Sequence, residues 1–150
     1  MILLRKPSRA QVREFLERQN SLSVSYRAAG ATRSELVPPG FNIDHNRIRL
    51  GTGDSTFDRA VNAVAGWKMF EVGWVELLYS DSPIESGAAV GVLVRVFGLW
   101  MLNACRVIYT IDEDKPVRRF GFAYGTLPDH AESGEERFTV EWHSSDDSVW

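Results

Sequence analysis

A short polar run near the end of the chain holds the residue types that most readily do chemistry. It carries a tyrosine, a threonine, a histidine and two adjacent glutamates, namely Tyr124, Thr126, His130, Glu135 and Glu136. Hydroxyl, imidazole and carboxylate groups placed together can orient a ligand or transfer a proton. The same residues also suit a hairpin loop in which the histidine caps backbone groups and the glutamates face water. The sequence leaves both interpretations open, and the loop is the more common arrangement.

The two glutamates have different expected environments. Glu136 shares a strand face with Phe138 and Val140, which predicts that it is the more buried of the pair. A buried carboxylate needs a partner, such as Arg106 or Arg119. Arg106 could alternatively bind a ligand carboxylate, but a structural salt bridge to a glutamate on a neighbouring strand is the more common role.

Other chemically capable residues point to structural roles. Cys105 lies among strand hydrophobes, which predicts an inert core thiol rather than a nucleophile. The glycines at 51–53 precede a helix, but the P-loop lysine and the third glycine of the dinucleotide motif are missing, so a tight turn is favoured over a phosphate cradle. His45, His130 and His143 are too scattered for a metal-ligand pattern. We therefore expect neither a metal nor a cofactor.

The polar run lies between two predicted strands within residues 118–142. Aromatic and aliphatic side chains alternate along both, and we expect the following ones to line an apolar space: Phe120, Phe122, Tyr124, Phe138 and Val140. Residues 127–134 form the connecting loop. Trp100, close to Gly98, is the tryptophan that we expect to face a ligand, whereas the others are predicted to fill the core.

The remaining elements follow from periodicity and capping residues. One helix is predicted from Ser8, whose capping partner is Gln11, to Asn20; a second begins with Asp54 or Ser55 as its cap and ends at Gly66. Further strands are predicted at residues 22–26, 46–51, 74–80, 88–97, 104–112 and 148–150, with a turn at 81–83. In the strand at 104–112, we expect Cys105, Val107, Tyr109 and Ile111 to share one face.

This order predicts one α+β domain over residues 1–150. An N-terminal helix precedes a curved antiparallel sheet of six to seven strands, which wraps on the second helix and encloses an apolar space.

The composition argues against several classes of partner. The net charge of −3 argues against nucleic acid, and the acidic balance weakly disfavours an anionic membrane surface. No apolar run approaches the ~20 residues of a membrane-spanning helix. A single cysteine cannot form an internal disulfide, which predicts a reducing compartment and a cytoplasmic location.

The motifs resemble the uncharacterised DUF1990 (UPF0548) family over nearly the whole chain. The resemblance rests on GTG at 51–53, MF at 69–70, NACRV at 103–107, RFGFAYGTL at 119–127 and GEE at 134–136. It carries over no catalytic residues. The family's pattern of strands and helices looks like the helix-grip fold of START and Bet v 1 proteins, which implies an apolar ligand. Family members continue into a C-terminal helix, so we expect a chain ending at Trp150 to be a fragment or to leave an apolar surface open.

Three functions remain open from the sequence. The first is a non-enzymatic binder of an apolar small molecule, with Tyr124, His130 and Glu136 orienting the ligand and Trp100, Arg106 and Thr126 as further candidates. The second is an enzyme that uses Glu136 or His130 for general acid–base chemistry in the same cavity. The third is an interaction protein that forms homo-oligomers through an open sheet edge near Trp150.

Overall fold

The computed structural model describes residues 1–34, 37–78 and 83–150. Within them a curved antiparallel sheet packs against two α-helices, which confirms the predicted α+β class. Helix α1 spans Arg9–Asn20 and helix α2 spans Asp54–Ala65. The strands are β1 (Ile2–Leu3), β2 (Gly51–Thr52), β3 (Val75–Leu78), β4 (Ala89–Val96), β5 (Leu99–Glu113), β6 (Arg118–Thr126), β7 (Glu135–His143) and β8 (Ser148–Val149).

The sheet is built around four long consecutive strands. Its order is β2-β8-β7-β6-β5-β4-β3, and β1 pairs with the first part of β5. Every pair is antiparallel.

The two helices lie on opposite faces of this sheet. On the α1 face, Phe15 and Leu16 pack in a cluster with Leu102 of β5. On the α2 face, Phe57 packs with Val140, in a cluster that Phe120 also joins. Successive residues of a strand point to opposite faces, so β4 and β5 contribute side chains to the cores on both faces.

A β-bulge in β5 exchanges the two faces partway along the strand. Cys105 and Val107 lie on the α2 face, but the register with β6 shifts between Val107 and Tyr109, so Tyr109 pairs with Ala123 on the α1 face. The prediction that Tyr109 and Ile111 share the face of Cys105 is therefore wrong. One extra residue at a bulge inverts the alternation that follows it.

Local signals placed the helix ends well and the short strands poorly. Ser8 and Gln11 form the predicted capping box. Residues 22–26 form bends rather than the predicted strand, and the strand predicted at 46–51 is reduced to Gly51–Thr52. Gly53, not Asp54 or Ser55, is the N-cap of α2. Residues 79–82, which include the end of one predicted strand and most of the predicted turn after it, lie outside the described residues.

In the part of the chain that the structure describes, no helix is both long and apolar enough to span a membrane.

Candidate functional site

The aromatic side chains of β6 and β7 on the α2 face are partly covered by the protein itself. Trp67 follows α2 and places its ring centroid 4.7 Å from that of Phe122, and both side chains are buried. Phe70, in the 3₁₀ turn after Trp67, lies 5.8 Å from Tyr124 and 6.2 Å from Phe138. The space over Phe122, predicted from the sequence to be open, is therefore occupied by Trp67.

An open groove remains beside this aromatic cluster, between α2 and β7. Its volume is about 400 Å³. One wall is formed by apolar residues of α2 and by Met69, and the other by Phe138 and Val140, two of the residues predicted to line an apolar space. Arg59 and Thr56 add polar groups to the lining, and a hydrogen bond of 3.2 Å joins them. The groove is thus apolar along its walls and open to solvent.

A tyrosine–glutamate pair lies next to Phe138. The ring of Tyr124 stacks on Phe138 with centroids 5.9 Å apart, and its hydroxyl donates a 2.5 Å hydrogen bond to Glu136, its cross-strand partner. Burial, together with the negative charge of Glu136, raises the pKa of Tyr124, so the phenol stays protonated and donates.

The prediction that Glu136 is the buried glutamate is wrong. Glu136 is exposed, and its carboxylate accepts from Tyr124 rather than from Arg106 or Arg119. Strand alternation assigned Glu136 to the correct face of β7, but alternation does not determine how deeply a side chain is covered on that face.

Glu135 is the glutamate that the fold holds in place. Its carboxylate accepts 2.7 Å hydrogen bonds from the Tyr26 hydroxyl and the Gly30 amide, and further bonds from the amide and hydroxyl of Thr32. Thr32 also bonds to the hydroxyl of Tyr109, which the bulge has turned to this face. Sequence reasoning missed this cluster, because its donors lie more than 100 positions away from Glu135.

The electrostatics of Glu135 follow from these bonds. Burial alone raises the pKa of Glu135, but hydrogen bonds from Thr32, Gly30 and Tyr26 outweigh it and hold the pKa below its usual value of 4.5. Glu135 is therefore a structural anion that ties the segment after α1 to the sheet.

Thr126 is the last residue of β6, and His130 lies in the loop between β6 and β7. The Thr126 hydroxyl lies 2.6 Å from that of Ser25 and accepts from the Gly134 amide at 3.0 Å. Nδ1 of His130 accepts a 3.0 Å hydrogen bond from the amide of Glu132, and burial lowers the pKa of His130. In this arrangement the histidine caps backbone groups, one of the two roles that the sequence left open.

Arg106 and Trp100 lie on the α1 face, across the sheet from the groove. Arg106 donates to the carbonyl oxygens of Asn20 at 2.7 Å and of Leu22 at 3.0 Å, so it holds the end of α1 instead of forming the salt bridge favoured from the sequence. The Trp100 ring lies 5.5 Å from the guanidinium of Arg95. The structure therefore divides the predicted site residues between the two faces and the β6–β7 loop.

The remaining chemical candidates have structural surroundings. Cys105 is fully buried, and burial raises the pKa of its thiol to about 12. Gly51 pairs with Val149 as part of β2, and Gly53, which donates its amide to the carbonyl of Asp147, is the N-cap of α2, so residues 51–53 connect a short strand to the helix where the sequence predicted a tight turn. Among the residues that the structure describes, no group of three or more histidine, cysteine, aspartate or glutamate side chains could hold a metal ion.

Comparison with known proteins identifies the family. Residues 25–150 match the domain of unknown function DUF1990. A UPF0548 protein of Dictyostelium discoideum is 35% identical over 95% of this chain and 71% of its own length. A UPF0548 protein of Deinococcus radiodurans is 37% identical over 100% of this chain and 79% of its own length. No solved structure matches, so the resemblance to START and Bet v 1 proteins stays a prediction. The chain belongs to the DUF1990 family, whose proteins are also named UPF0548.

Proposed function

We propose that this protein binds an apolar small molecule in the groove between α2 and β7. The observation that carries the proposal is the groove itself, with a volume of about 400 Å³ and apolar walls that include Phe138 and Val140. Small-molecule sites are typically concave and apolar, with a few polar groups that set orientation.

The Tyr124–Glu136 pair supplies such polar groups. It lies next to Phe138, which lines the groove and on which the Tyr124 ring stacks. A ligand that extends from the groove past Phe138 would reach the exposed Glu136 carboxylate with its polar end. Phe120 and Phe122 support the site from the core rather than contacting the ligand.

General acid–base catalysis at the same site is the second candidate function. It is favoured by the direct hydrogen bond between Tyr124 and Glu136, which links a proton donor to a carboxylate. Glu135 and His130 contribute less support, because their hydrogen bonds hold the segment after α1 and the β6–β7 loop. The enzyme would be favoured over the binder if the wild-type protein chemically converts a bound compound and the Glu136→Gln variant does not convert it.

A homo-oligomer through the C-terminal edge has weaker support. β2 pairs along β8, and the amide of Leu50 donates to the carbonyl of Val149. This contact already covers part of the edge that a second copy would use.

The binding proposal is tested with the apolar fluorescent probe Nile red and two substitutions in α2. Ala63 lines the groove, whereas Ala65, two positions later, is exposed. Ala63→Phe fills the groove and should weaken Nile red binding roughly tenfold or more, because a bulky ring removes the volume that the probe occupies. Ala65→Phe should leave binding unchanged.

The natural occupant is tested by native mass spectrometry of the purified protein. An adduct retained by Ala65→Phe and lost by Ala63→Phe would support the proposal. Equal binding by wild type and Ala63→Phe, or equal loss in both variants, would exclude the groove as the site.

A further inference from the structure

One end of the sheet concentrates exposed apolar side chains. Three separate segments meet there through the β1–β5, β3–β4 and β4–β5 pairings. The exposed large hydrophobic residues of these segments are Ile2, Leu4, Val72, Trp74, Phe97 and Leu99. We call this end of the sheet the apolar tip. It is separate from the groove, whose walls are formed by α2 and β7.

Phe97 is the most prominent residue of the apolar tip. It lies in the turn between β4 and β5, is 100% exposed and has a φ of 48°, followed by Gly98 with a φ of 80°. Positive φ at both central positions is typical of hairpin turns that favour Asn-Gly, and a bulky residue adopts this conformation at a cost. Phe97 recovers none of that cost by packing within the chain. The side chain is therefore placed for a contact outside the molecule.

Aromatic and cationic side chains form a row behind the tip. Arg95 pairs with Trp100 in the register, and its amide donates to the carbonyl of Trp74. The guanidinium of Arg95 lies 5.5 Å from the Trp100 ring, and the Lys6 ammonium lies 5.6 Å from the same ring. Arg95 is two residues from Phe97, which places this row about 7 Å behind the tip.

This order of side chains matches the depth profile of a bilayer interface. Phenylalanine and leucine favour the acyl boundary, whereas tryptophan, arginine and lysine favour the headgroup level. Apolar faces of interfacial elements enter this boundary by about 5–10 Å, a range that contains the spacing between Phe97 and the row of Arg95.

The acidic residues closest in sequence do not oppose such a contact strongly. Glu71 pairs with Lys68 and Glu76 pairs with Lys6, each at 2.6 Å. The overall charge of −3 disfavours general adsorption to an anionic surface. Docking at the apolar tip must therefore depend on insertion of Phe97 and on the local charge of Arg95.

We infer that the apolar tip docks on a lipid bilayer that contains anionic headgroups. Phe97 enters the acyl boundary, and Arg95, Trp74 and Trp100 lie among the headgroups. A fluid bilayer accepts a protruding side chain without a preformed pocket, whereas a protein partner would need a cavity that matches the turn. The protrusion of Phe97 and the exposed, positively charged Arg95 behind it together favour the bilayer.

Cosedimentation of the full chain with vesicles tests this inference. Vesicles of phosphatidylcholine alone are compared with vesicles that contain about one quarter phosphatidylglycerol. Wild type should bind both and bind the anionic vesicles more tightly. Phe97→Asn should weaken binding to both roughly tenfold, because the inserted ring is lost. It should also raise the melting temperature, since asparagine suits this turn.

Two further variants separate charge from insertion and from general surface effects. Arg95→Gln should weaken binding to the anionic vesicles roughly fivefold and leave binding to phosphatidylcholine unchanged. Ile43→Asn removes an apolar side chain that is 60% exposed in another segment, and it should change binding to neither kind of vesicle.

Three results would overturn the inference. The first is that the wild-type protein sediments with neither kind of vesicle. The second is that Phe97→Asn binds vesicles as tightly as the wild-type protein. The third is a wild-type protein that does not bind vesicles but self-associates, with the self-association lost in Phe97→Asn. The apolar tip would then be a protein interface. Ala63→Phe should leave vesicle binding unchanged, so failure at the groove and failure at the tip are distinguishable.

Discussion

The hydroxyl of Tyr26 donates a 2.7 Å hydrogen bond to the carboxylate of Glu135, 109 positions further along the chain. The Tyr26 ring lies against Gly125, which pairs with Glu135 in the register of β6 and β7. Glu135 and Glu136 point to opposite faces of β7, so this anchor holds the α1 face while Glu136 lies beside the groove. Of the two adjacent glutamates, Glu135 is therefore a structural anchor, whereas Glu136 is available beside the groove.

Loss of the Glu135 charge should destabilise the fold. Glu135→Gln weakens the bonds from Tyr26, Gly30 and Thr32, and we expect it to lower the free energy of unfolding by about 1–3 kcal/mol, as measured by urea denaturation. Glu136→Gln is the matched control, because Glu136 is exposed and is expected to cost less than about 0.5 kcal/mol. Equal effects of the two substitutions would contradict the anchoring role of Glu135.

The same carboxylate should make stability depend on acid pH. The pKa of Glu135 is lower in the folded protein than the usual 4.5, so the unfolded chain takes up the proton first as pH falls. Its contribution is present above about pH 4.5 and is lost as pH falls through the folded pKa. Urea midpoints measured from neutral to acid pH should fall less steeply in Glu135→Gln than in wild type. Parallel curves would show that Glu135 is not the titrating group.

Gly125 is required for the approach of Tyr26. A Cβ at position 125 would lie 2.0 Å from the Tyr26 hydroxyl, and the buried, hydrogen-bonded ring cannot move freely. Gly125→Ala should therefore cost about 2 kcal/mol or more of unfolding free energy. In a Tyr26→Ala background the same change should cost about 1 kcal/mol or less, so a double-mutant cycle measures the coupling.

Gly121 provides a contrast within the same strand. A Cβ there would lie 2.1 Å from the backbone oxygen of Phe138, which no side-chain truncation can remove. Gly121→Ala should therefore remain destabilising in a Phe138→Ala background. If Gly121→Ala cost no free energy of unfolding in that background, the backbones of β6 and β7 would be able to separate at this point.

The Cys105 thiol should be unreactive in the folded protein. Its side chain is fully buried and burial raises its pKa to about 12, so almost none is thiolate at neutral pH. Iodoacetamide followed by mass spectrometry should label Cys105 in urea but not in buffer. Fast labelling in buffer would show that β5 opens readily around this residue.

Residues close together in the sequence were enough to predict much of the framework of the fold. Ser8 and Gln11 identified the start of α1, and the alternation of Phe120, Phe122 and Phe138 placed all three on one face, as the structure does. Alternation could not show that Trp67 covers Phe122, because the left-handed backbone after α2 has no counterpart in the strand pattern.

By itself the sequence determined the class of fold, the two helices and the faces of the strands before the bulge, because capping and alternation depend on residues close together in the chain. Only the tertiary structure decided that Glu135 is the held carboxylate, that Tyr109 turns to the α1 face and that Trp67 fills the space over Phe122, leaving an open groove beside it. Each of these depends on one inserted residue or on partners far apart in sequence, and such contacts form only when the sheet folds.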